Sequence, residues 1–186
     1  MPDGTAGDEL VEVVDEDSRV LDVVTRARMR AERLRHRCTF VVVRDPADRV
    51  LVHRRSPHKD MWPDRWDLAA GGVVQAGEEW ETAAARELQE EVGVHDVELV
   101  PLADGDLTYV DDDVAELARA WTVVWDGPVS FDDGEVVDAR WVTVDELREL
   151  VARESFVPDS LTLVLPLVLS AGAGAGDRDD DHDGDR

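Results

Sequence analysis

Alternating and continuous apolar runs in the first third of the chain predict strands that pair in sequence. From Leu10, the segments VEVVDED and RVLDVV predict two short strands joined by an acidic turn. The segments CTFVVVRD and RVLVHRR predict a second pair around a turn at residues 46–48. Between the two pairs, residues 25–34 (TRARMRAERL) are rich in good helix formers and predict a short basic helix.

The clearest helical pattern covers Glu79 to Val92. Ala84, Leu88 and Val92 recur four residues apart, which places them on one face of a helix. Gly93 stands where a glycine commonly ends a helix in the left-handed conformation. Three strands and two helices are predicted further along: the segments VELVPL, ARAWTVVW and ARWVTV, the helix Val144–Arg153, and a helix that begins after Pro158.

Both ends of the chain differ in composition from the middle. Residues 1–8 predict a flexible leader, and residues 9–170 are long enough to form a single domain with a substantial core. Residues 171–186 alternate alanine and glycine and then become densely acidic, which predicts disorder. This end is interpreted as a solvated tail rather than a metal site, although it contains Asp179, Asp181, His182 and Asp183.

The chain is strongly acidic, with 44 Asp and Glu residues against 20 Lys and Arg and a net charge of −24. Such a field repels nucleic-acid backbones and anionic membranes, so neither is expected as a partner. An anionic substrate would need a local cluster of basic side chains or a bound cation.

Three sequence features that bear on cellular location predict a soluble cytoplasmic protein. Cys38 is the only cysteine, which rules out an intrachain disulfide and suits a reducing compartment. The first residues lack the basic start and apolar core of a secretory signal. The longest apolar run, residues 161–169, is shorter than the roughly 20 residues that cross a membrane.

Four charged residues on the predicted helix carry the candidate chemistry: Arg86, Glu87, Glu90 and Glu91. The three glutamates stand at positions i, i+3 and i+4, so they share one face. Carboxylates this close repel each other. A hard divalent cation such as Mg²⁺ removes the repulsion, because it prefers carboxylate and water oxygens. An exposed charged helix is the alternative explanation of the same pattern.

Residues on both sides of these four fill a longer pattern. Five residues separate Gly72 from Glu78, seven separate Glu78 from Arg86, and ELQEEVGV follows Arg86. Residues 72–94 resemble the Nudix box, the signature of the Nudix hydrolase superfamily, at every defined position. The resemblance implies an α/β (α+β) fold, in which an α/β/α sandwich surrounds a mixed β-sheet and the box forms a loop, a helix and a loop.

The resemblance also assigns roles by position. Glu87, Glu90 and Glu91 would hold Mg²⁺, with Mn²⁺ as the alternative ion and the Gly72 carbonyl as a further ligand. Arg86 would orient a carboxylate in or before the helix. The remaining defined positions are structural: Glu78, for which a metal contact is equally open, Leu88, Gly93 and Val94.

The box does not name the group that activates water, because this group varies within the superfamily. Glu90 and Glu91 are candidates. Outside the box, Glu135 precedes Trp141 in EVVDARW, which resembles a recurring carboxylate-to-strand element of related proteins. An ordinary loop acid is the alternative explanation of Glu135.

Segments outside the box resemble the isopentenyl-diphosphate isomerase branch of the superfamily, and more narrowly its bacterial offshoot of Nudix hydrolases. They lie between Glu9 and Leu169 and read VVDEDSRVLDVVTR, LRHR, LVHRRSPHKDMWPDRWD and GGVVQAGE. In that branch an RR-x3-K segment binds the substrate diphosphate, which assigns this role to Arg55 and Lys59. A pair of surface cations is the alternative.

The residues of isomerase chemistry are missing from this chain. A catalytic cysteine and a metal-binding histidine of a CGH segment are replaced, because the matching positions hold Gly71, Gly72 and Val73. Met29 replaces a further histidine, and His36 remains either as a ligand or as a structural residue. Cys38 lies on a predicted strand and is no substitute.

These observations predict a metal-dependent hydrolase in which water attacks the diphosphate linkage of a small, nucleotide-type molecule. The alternatives are an isopentenyl-diphosphate isomerase and a non-catalytic Nudix-fold binding or regulatory protein. The sequence leaves the oligomeric state open, with a homodimer as one possibility. In the loop at residues 56–67, Trp62 and Trp66 either stack on the substrate or anchor the loop. Trp121 and Trp125 share one face of a predicted strand, which favours core packing.

Overall fold

The computed structural model describes residues 6–131 and 134–173. Within them the chain forms nine strands, four α-helices, a 3₁₀ turn at Ala6–Asp8 and a π-helical turn at Ser160–Val164. The strands are β1 (Leu10–Val14), β2 (Val20–Thr25), β3 (His36–Arg44), β4 (Val50–Arg55), β5 (Trp66–Asp67), β6 (Val100–Pro101), β7 (Leu107–Val110), β8 (Ala115–Val124) and β9 (Val136–Val142). The helices are α1 (Arg26–Ala31), α2 (Trp80–Val92), α3 (Val144–Val151) and α4 (Leu165–Ala173).

All of these strands belong to one mixed sheet, in which β2, β1, β3, β4 and β5 follow one another. Strands β3 and β8 run parallel at its centre, from His36 beside Glu116 to Arg44 beside Val124. The other pairs are antiparallel: β8 also pairs with β6 and β7, and β9 pairs with β4. A parallel pair requires a long crossover, and here the crossover includes α2.

Alternation along β3 supplies the cores on both faces of the sheet, since successive side chains of a strand point to opposite faces. Phe40 and Val42 belong to the apolar cluster that includes residues of α3 and α4. Val41 and Val43 belong to the cluster that includes Leu88 and the rest of the buried face of α2. The predicted α/β/α sandwich around a mixed sheet is therefore confirmed.

Helix α2 begins and ends close to the predicted residues. Glu79 is the extended residue that precedes it, and Gly93 ends it in the left-handed conformation with a φ of 71°. A Cβ at Gly93 would also lie 2.3 Å from Ser130 Oγ, so only glycine fits there without a shift. Leu88 and Val94 are buried in the core, as predicted.

Four local features differ from the sequence-based predictions. Strand β7 and the two-residue strand β5 were not predicted; both depend on pairing with β8 and β4 and carry little pattern of their own. Residues 6–8 form a 3₁₀ turn inside the predicted leader, and α4 extends three residues into the predicted disordered segment. The rest of the predicted leader and tail, residues 1–5 and 174–186, lies outside the described residues.

The tryptophans of the predicted core strand differ in burial. Trp121 lies within β8 and is buried, as predicted. Trp125 follows the strand, is only partly buried, and donates its indole N–H to the carbonyl oxygen of Pro128 at 3.0 Å. In the part of the chain that the structure describes, no helix is both long and apolar enough for a membrane span.

Candidate active site

Helix α2 borders a cavity of about 820 Å³. Other parts of its lining come from the glycine segment before α2, from the loop after β4, and from β3, β8 and α1. The residues assigned from the sequence to the metal, the substrate or proton transfer line this cavity: Arg55, Lys59, Gly72, Arg86, Glu87, Glu90, Glu91 and Glu135. Glu78 and His36, for which a metal contact was open, do not line it.

Arg86 joins helix α2 to the loop that precedes it. Its Nε and Nη2 atoms donate to the two carboxylate oxygens of Glu78 at 2.9 Å each. Its Nη1 atom donates to Glu87 at 2.6 Å and to Glu90 at 3.2 Å. The hydrogen bond that Arg86 donates to Glu78 is the largest cause of a raised pKa of Arg86, so the guanidinium stays charged. The predicted contact between Arg86 and a carboxylate before the helix is present.

The carboxylates of Glu87 and Glu91 are packed into the cavity wall. Burial raises the pKa of Glu91 to about 7, although Gly71 N–H donates to this carboxylate at 3.0 Å. Burial, and next the charge of Glu91, raise the pKa of Glu87 to about 7. Two mostly buried carboxylates with raised pKa values are suited to a cation, which stabilises their ionised forms.

Glu90 differs from the two buried glutamates. Its side chain is 59% exposed, and it contacts Arg86 at the edge of the cavity. One oxygen of Glu87 and one oxygen of Glu90 accept hydrogen bonds from Arg86. Among the described residues, no three His, Cys, Asp or Glu side chains come together closely enough to hold a metal ion. The structure thus brings Glu87 and Glu91 together but leaves Glu90 at the rim.

The two glycines before α2 are required for different reasons. A Cβ at Gly72 would lie 2.7 Å from the Glu87 carboxylate, so the glycine makes room for this side chain. The Gly72 carbonyl accepts from Thr39 N–H at 2.9 Å and from the Thr39 hydroxyl at 3.4 Å, and its role as a metal ligand stays a prediction. A Cβ at Gly71 would lie 1.9 Å from the backbone oxygen of Thr39. A cysteine at this position, as in the isomerases, would meet the same obstruction.

We expect Gly71→Ala to lower the free energy of unfolding by about 3 kcal/mol, because its methyl group would push against the backbone of β3. Gly72→Ala is the matched control, since its methyl group meets only the movable end of a side chain, and about 1 kcal/mol is expected. Urea denaturation of both variants measures the difference. Equal losses would contradict the backbone obstruction at Gly71.

Lys59 connects a residue outside the box to one inside it. Its ammonium group pairs with Glu135 and lies 3.6 Å from Glu91 Oε1. Arg55 stands near it, with Nη1 3.9 Å from Asp67 Oδ2, and its buried Nε–H has no hydrogen-bond partner among the described residues. Both cations therefore line the cavity wall beside the carboxylates.

The structure distinguishes the alternative roles that the sequence left open for Trp62, Trp66 and His36. Trp66 is buried with the Arg140 guanidinium 4.5 Å from its ring centre, so it anchors the loop. Trp62 lines the cavity and has a φ of 45°, which is unusual for a residue other than glycine. His36 is buried with Nδ1 3.0 Å from the Leu34 carbonyl oxygen, and burial lowers its pKa to about 4. It therefore has the features of a neutral structural residue.

Among the polar residues of the cavity that sequence reasoning missed are Arg30, Glu116 and Asp159. They belong to no spacing pattern, because α1, β8 and the turn before α4 bring them together from distant parts of the chain. Glu116 offered one signal, since it is an acid within a long, mostly apolar strand.

Comparisons with known proteins place these residues in a family context. Residues 34–162 match the NUDIX domain family. The chain is 40% identical over 161 residues to YfcD of Salmonella typhi, an uncharacterised Nudix hydrolase, and the match covers 84% of this chain and 83% of that protein. It is 37% identical over 162 residues to the uncharacterised Nudix hydrolase SCO1686 of Streptomyces coelicolor, covering 85% and 87%. Among solved structures, DR0079 of Deinococcus radiodurans is similar, with a TM-score of 0.70, 25% identity, and coverage of 87% of this chain and 98% of that one.

Proposed function

Because this chain belongs to the Nudix hydrolase family, we propose that it uses a divalent cation to hydrolyse a diphosphate linkage in a small, nucleotide-type molecule. One observation carries the proposal: the buried carboxylates of Glu87 and Glu91 share a cavity wall with the cations Arg55 and Lys59. This arrangement pairs a cation-binding surface with a diphosphate-binding surface. The net charge of −24 makes such a local concentration of positive charge necessary for an anionic substrate.

The donor set fits Mg²⁺, with Mn²⁺ as the alternative ion. Glu87 and Glu91 offer hard oxygen ligands whose mutual repulsion a cation relieves. In the proposal, these two residues hold the ion, Glu90 joins them by turning its carboxylate away from Arg86, and the Gly72 carbonyl adds a ligand. When bound, a divalent ion neutralises negative charge on the diphosphate and increases the acidity of a water molecule.

The protein residues supply binding, orientation and proton transfer. Arg55 offers a planar fork and Lys59 a point charge to the diphosphate oxygens. Arg86 keeps Glu78 and Glu87 in fixed positions through charged hydrogen bonds. Glu135 pairs with Lys59. If Lys59 turned to the diphosphate, Glu135 could accept a proton from water, and Glu90 and Glu91 are the other candidates for this role.

A hydrolysis screen with Mg²⁺ tests the proposed function. Wild type and the double variant Glu90→Gln, Glu91→Gln would be compared on nucleoside di- and triphosphates, nucleotide sugars, dinucleotides and isopentenyl diphosphate. The expected result is turnover of one class by wild type and its loss in the variant. Equal inactivity of both proteins would favour a non-catalytic binding protein, and isomerisation of isopentenyl diphosphate would contradict hydrolysis.

We expect Arg55→Ala and Lys59→Ala each to raise KM for a diphosphate substrate by about 10- to 100-fold, since a hydrogen bond to a charged group is worth about 1.5–3 kcal/mol. The matched control is Arg54→Ala, because Arg54 pairs with Asp64 at 2.8 Å and does not line the cavity. Steady-state kinetics on the best substrate of the screen measures all three. An unchanged KM in either cavity variant would remove that residue from the diphosphate site.

A further inference from the structure

Polar side chains outside the box line the same cavity as the candidate active site. We define the inner subsite as Arg30, Glu116 and Asp159, together with Cys38 and Phe40, which also line the cavity. Arg30 comes from α1, and Glu116 comes from β8. The proposed metal and diphosphate contacts use none of these residues. The inner subsite is therefore available to another part of the substrate.

Glu116 has an unused hydrogen-bonding position. Its residue is only 2% exposed, and its Oε1 atom has no hydrogen-bond partner among the described residues. A buried polar atom without a partner is unfavourable, so such atoms commonly mark a site that a ligand or water fills. Burial raises the pKa of Glu116 well above its usual range, and the charge of Asp159 adds to this effect. The raised pKa favours the protonated form of the carboxyl group, which can both donate and accept a hydrogen bond.

Arg30 has a second unused position. Its buried Nε–H has no hydrogen-bond partner, and the guanidinium makes no ion pair with any residue that the structure describes. Arg30 and Glu116 influence each other's charge without forming such a pair. The cavity therefore presents one donor, from Arg30, and one group that donates or accepts, from Glu116.

Neighbouring side chains restrict the ligand that would fill these positions. Phe40 is buried and lines the cavity, and Trp62 lines it as well. Flat rings pack well against such side chains. An anionic group in the subsite would lie near the acidic residue Asp159, which is 4% exposed, and would be unfavourable there. A cationic group would be unfavourable because it would lie near Arg30. A neutral ring with a polar edge satisfies both constraints.

We infer that the inner subsite binds the organic group of the substrate by its edge, with Arg30 donating to a carbonyl oxygen and Glu116 exchanging a hydrogen bond with an adjacent N–H. The ligand class is a neutral ring that carries a lactam, a carbonyl next to an N–H. The inference rests on the proposed function, because the diphosphate contacts place this ring in the cavity. It adds the chemical feature that selects the substrate.

Binding and kinetics of matched probes test the inner subsite. Uridine and inosine diphosphates carry a lactam edge, whereas isopentenyl diphosphate carries an apolar group. Calorimetry in EDTA gives Kd without turnover, and KM is measured with Mg²⁺. For Glu116→Leu we expect at least a tenfold rise in Kd and KM for one or both lactam probes and less than a threefold change for isopentenyl diphosphate. Glu116→Gln retains a donor and an acceptor, so it should stay within about threefold of wild type.

Glu12→Gln is the control, because Glu12 is also a mostly buried carboxylate but pairs with Arg37 and does not line the cavity. No change in its Kd values is expected. The inference is overturned if Glu116→Leu binds lactam probes like wild type, if wild type binds neither lactam probe, or if Glu116→Leu weakens all probes equally. Lactam binding that depends on Glu116 without hydrolysis of any substrate would support the inner subsite and contradict only the proposed function.

Discussion

Glu91→Gln is expected to lower kcat for diphosphate hydrolysis at least about a thousandfold, which corresponds to about 4 kcal/mol of transition-state stabilisation. The proposed role of Glu91 requires a negative charge at a buried position that faces Lys59 and receives the Gly71 N–H. Glutamine has the same shape and can accept the same backbone hydrogen bond, but it cannot carry that charge. The fold should therefore persist while turnover is lost.

The same substitution is expected to stabilise the metal-free protein. Burial raises the pKa of Glu91 from 4.5 to about 7, so the folded state keeps its proton through a pH range in which the unfolded state has lost it. The contribution of Glu91 to the free energy of unfolding is thus fully present below pH 4.5 and is lost as the pH rises through about 7. Glutamine removes this loss, which amounts to about 3 kcal/mol at pH 8. Urea unfolding in EDTA at pH 8 and pH 5 measures it, and the gain should shrink to under about 1 kcal/mol at pH 5.

Glu90→Gln is the control for both effects. Because the Glu90 side chain is 59% exposed and its one described contact is Arg86, its stability change should remain within about 0.5 kcal/mol at either pH. A stabilisation of Glu90→Gln equal to that of Glu91→Gln would show that general negative charge, and not burial of Glu91, controls the pH dependence.

The sequence allowed most of the box to be predicted because its geometry is local. A single helix fixes Arg86, Glu87 and Glu91 relative to one another, and Gly93 ends that helix through its own backbone conformation. The contact from Arg86 to Glu78 spans eight residues, so the same helix and its preceding turn determine it. The sandwich was predicted from the resemblance, and alternation along β3 explains how it is built.

The inner subsite depends on long-range register, which no local pattern encodes. Glu116 faces the cavity because β8 pairs with β3 in parallel, with Glu116 beside His36 across a separation of 80 positions. Lys59 meets Glu135 because β9 pairs with β4. The exposure of Glu90 was not predicted either, although its cause is a local contact. Helical spacing places it on the same side as Glu87, but the hydrogen bond from Arg86 holds its carboxylate at the rim.

Arg86→Met is expected to lower the free energy of unfolding in EDTA by about 3 kcal/mol, as is typical when one partner of a buried ion pair is removed. The Glu78 and Glu87 side chains are only 11% and 12% exposed, and Arg86 lies between them. Without the guanidinium, both carboxylates lose a charged hydrogen bond and stay largely excluded from water. Arg148→Met is the control, because Arg148 pairs with Asp145 on the surface and should change stability by less than about 0.5 kcal/mol.

A double-mutant cycle separates this electrostatic effect from lost packing of the long arginine side chain. Glu78→Gln removes one of the two carboxylate charges that Arg86→Met leaves unpaired. The double variant Glu78→Gln, Arg86→Met should therefore be more stable than Arg86→Met alone, with a coupling energy of at least about 1 kcal/mol. Loss of apolar packing would not depend on the charge of Glu78. Additive effects in the cycle would therefore assign the cost of Arg86→Met to packing, whereas positive coupling would show that Arg86 stabilises the site by neutralising the acidic residues on both sides of it.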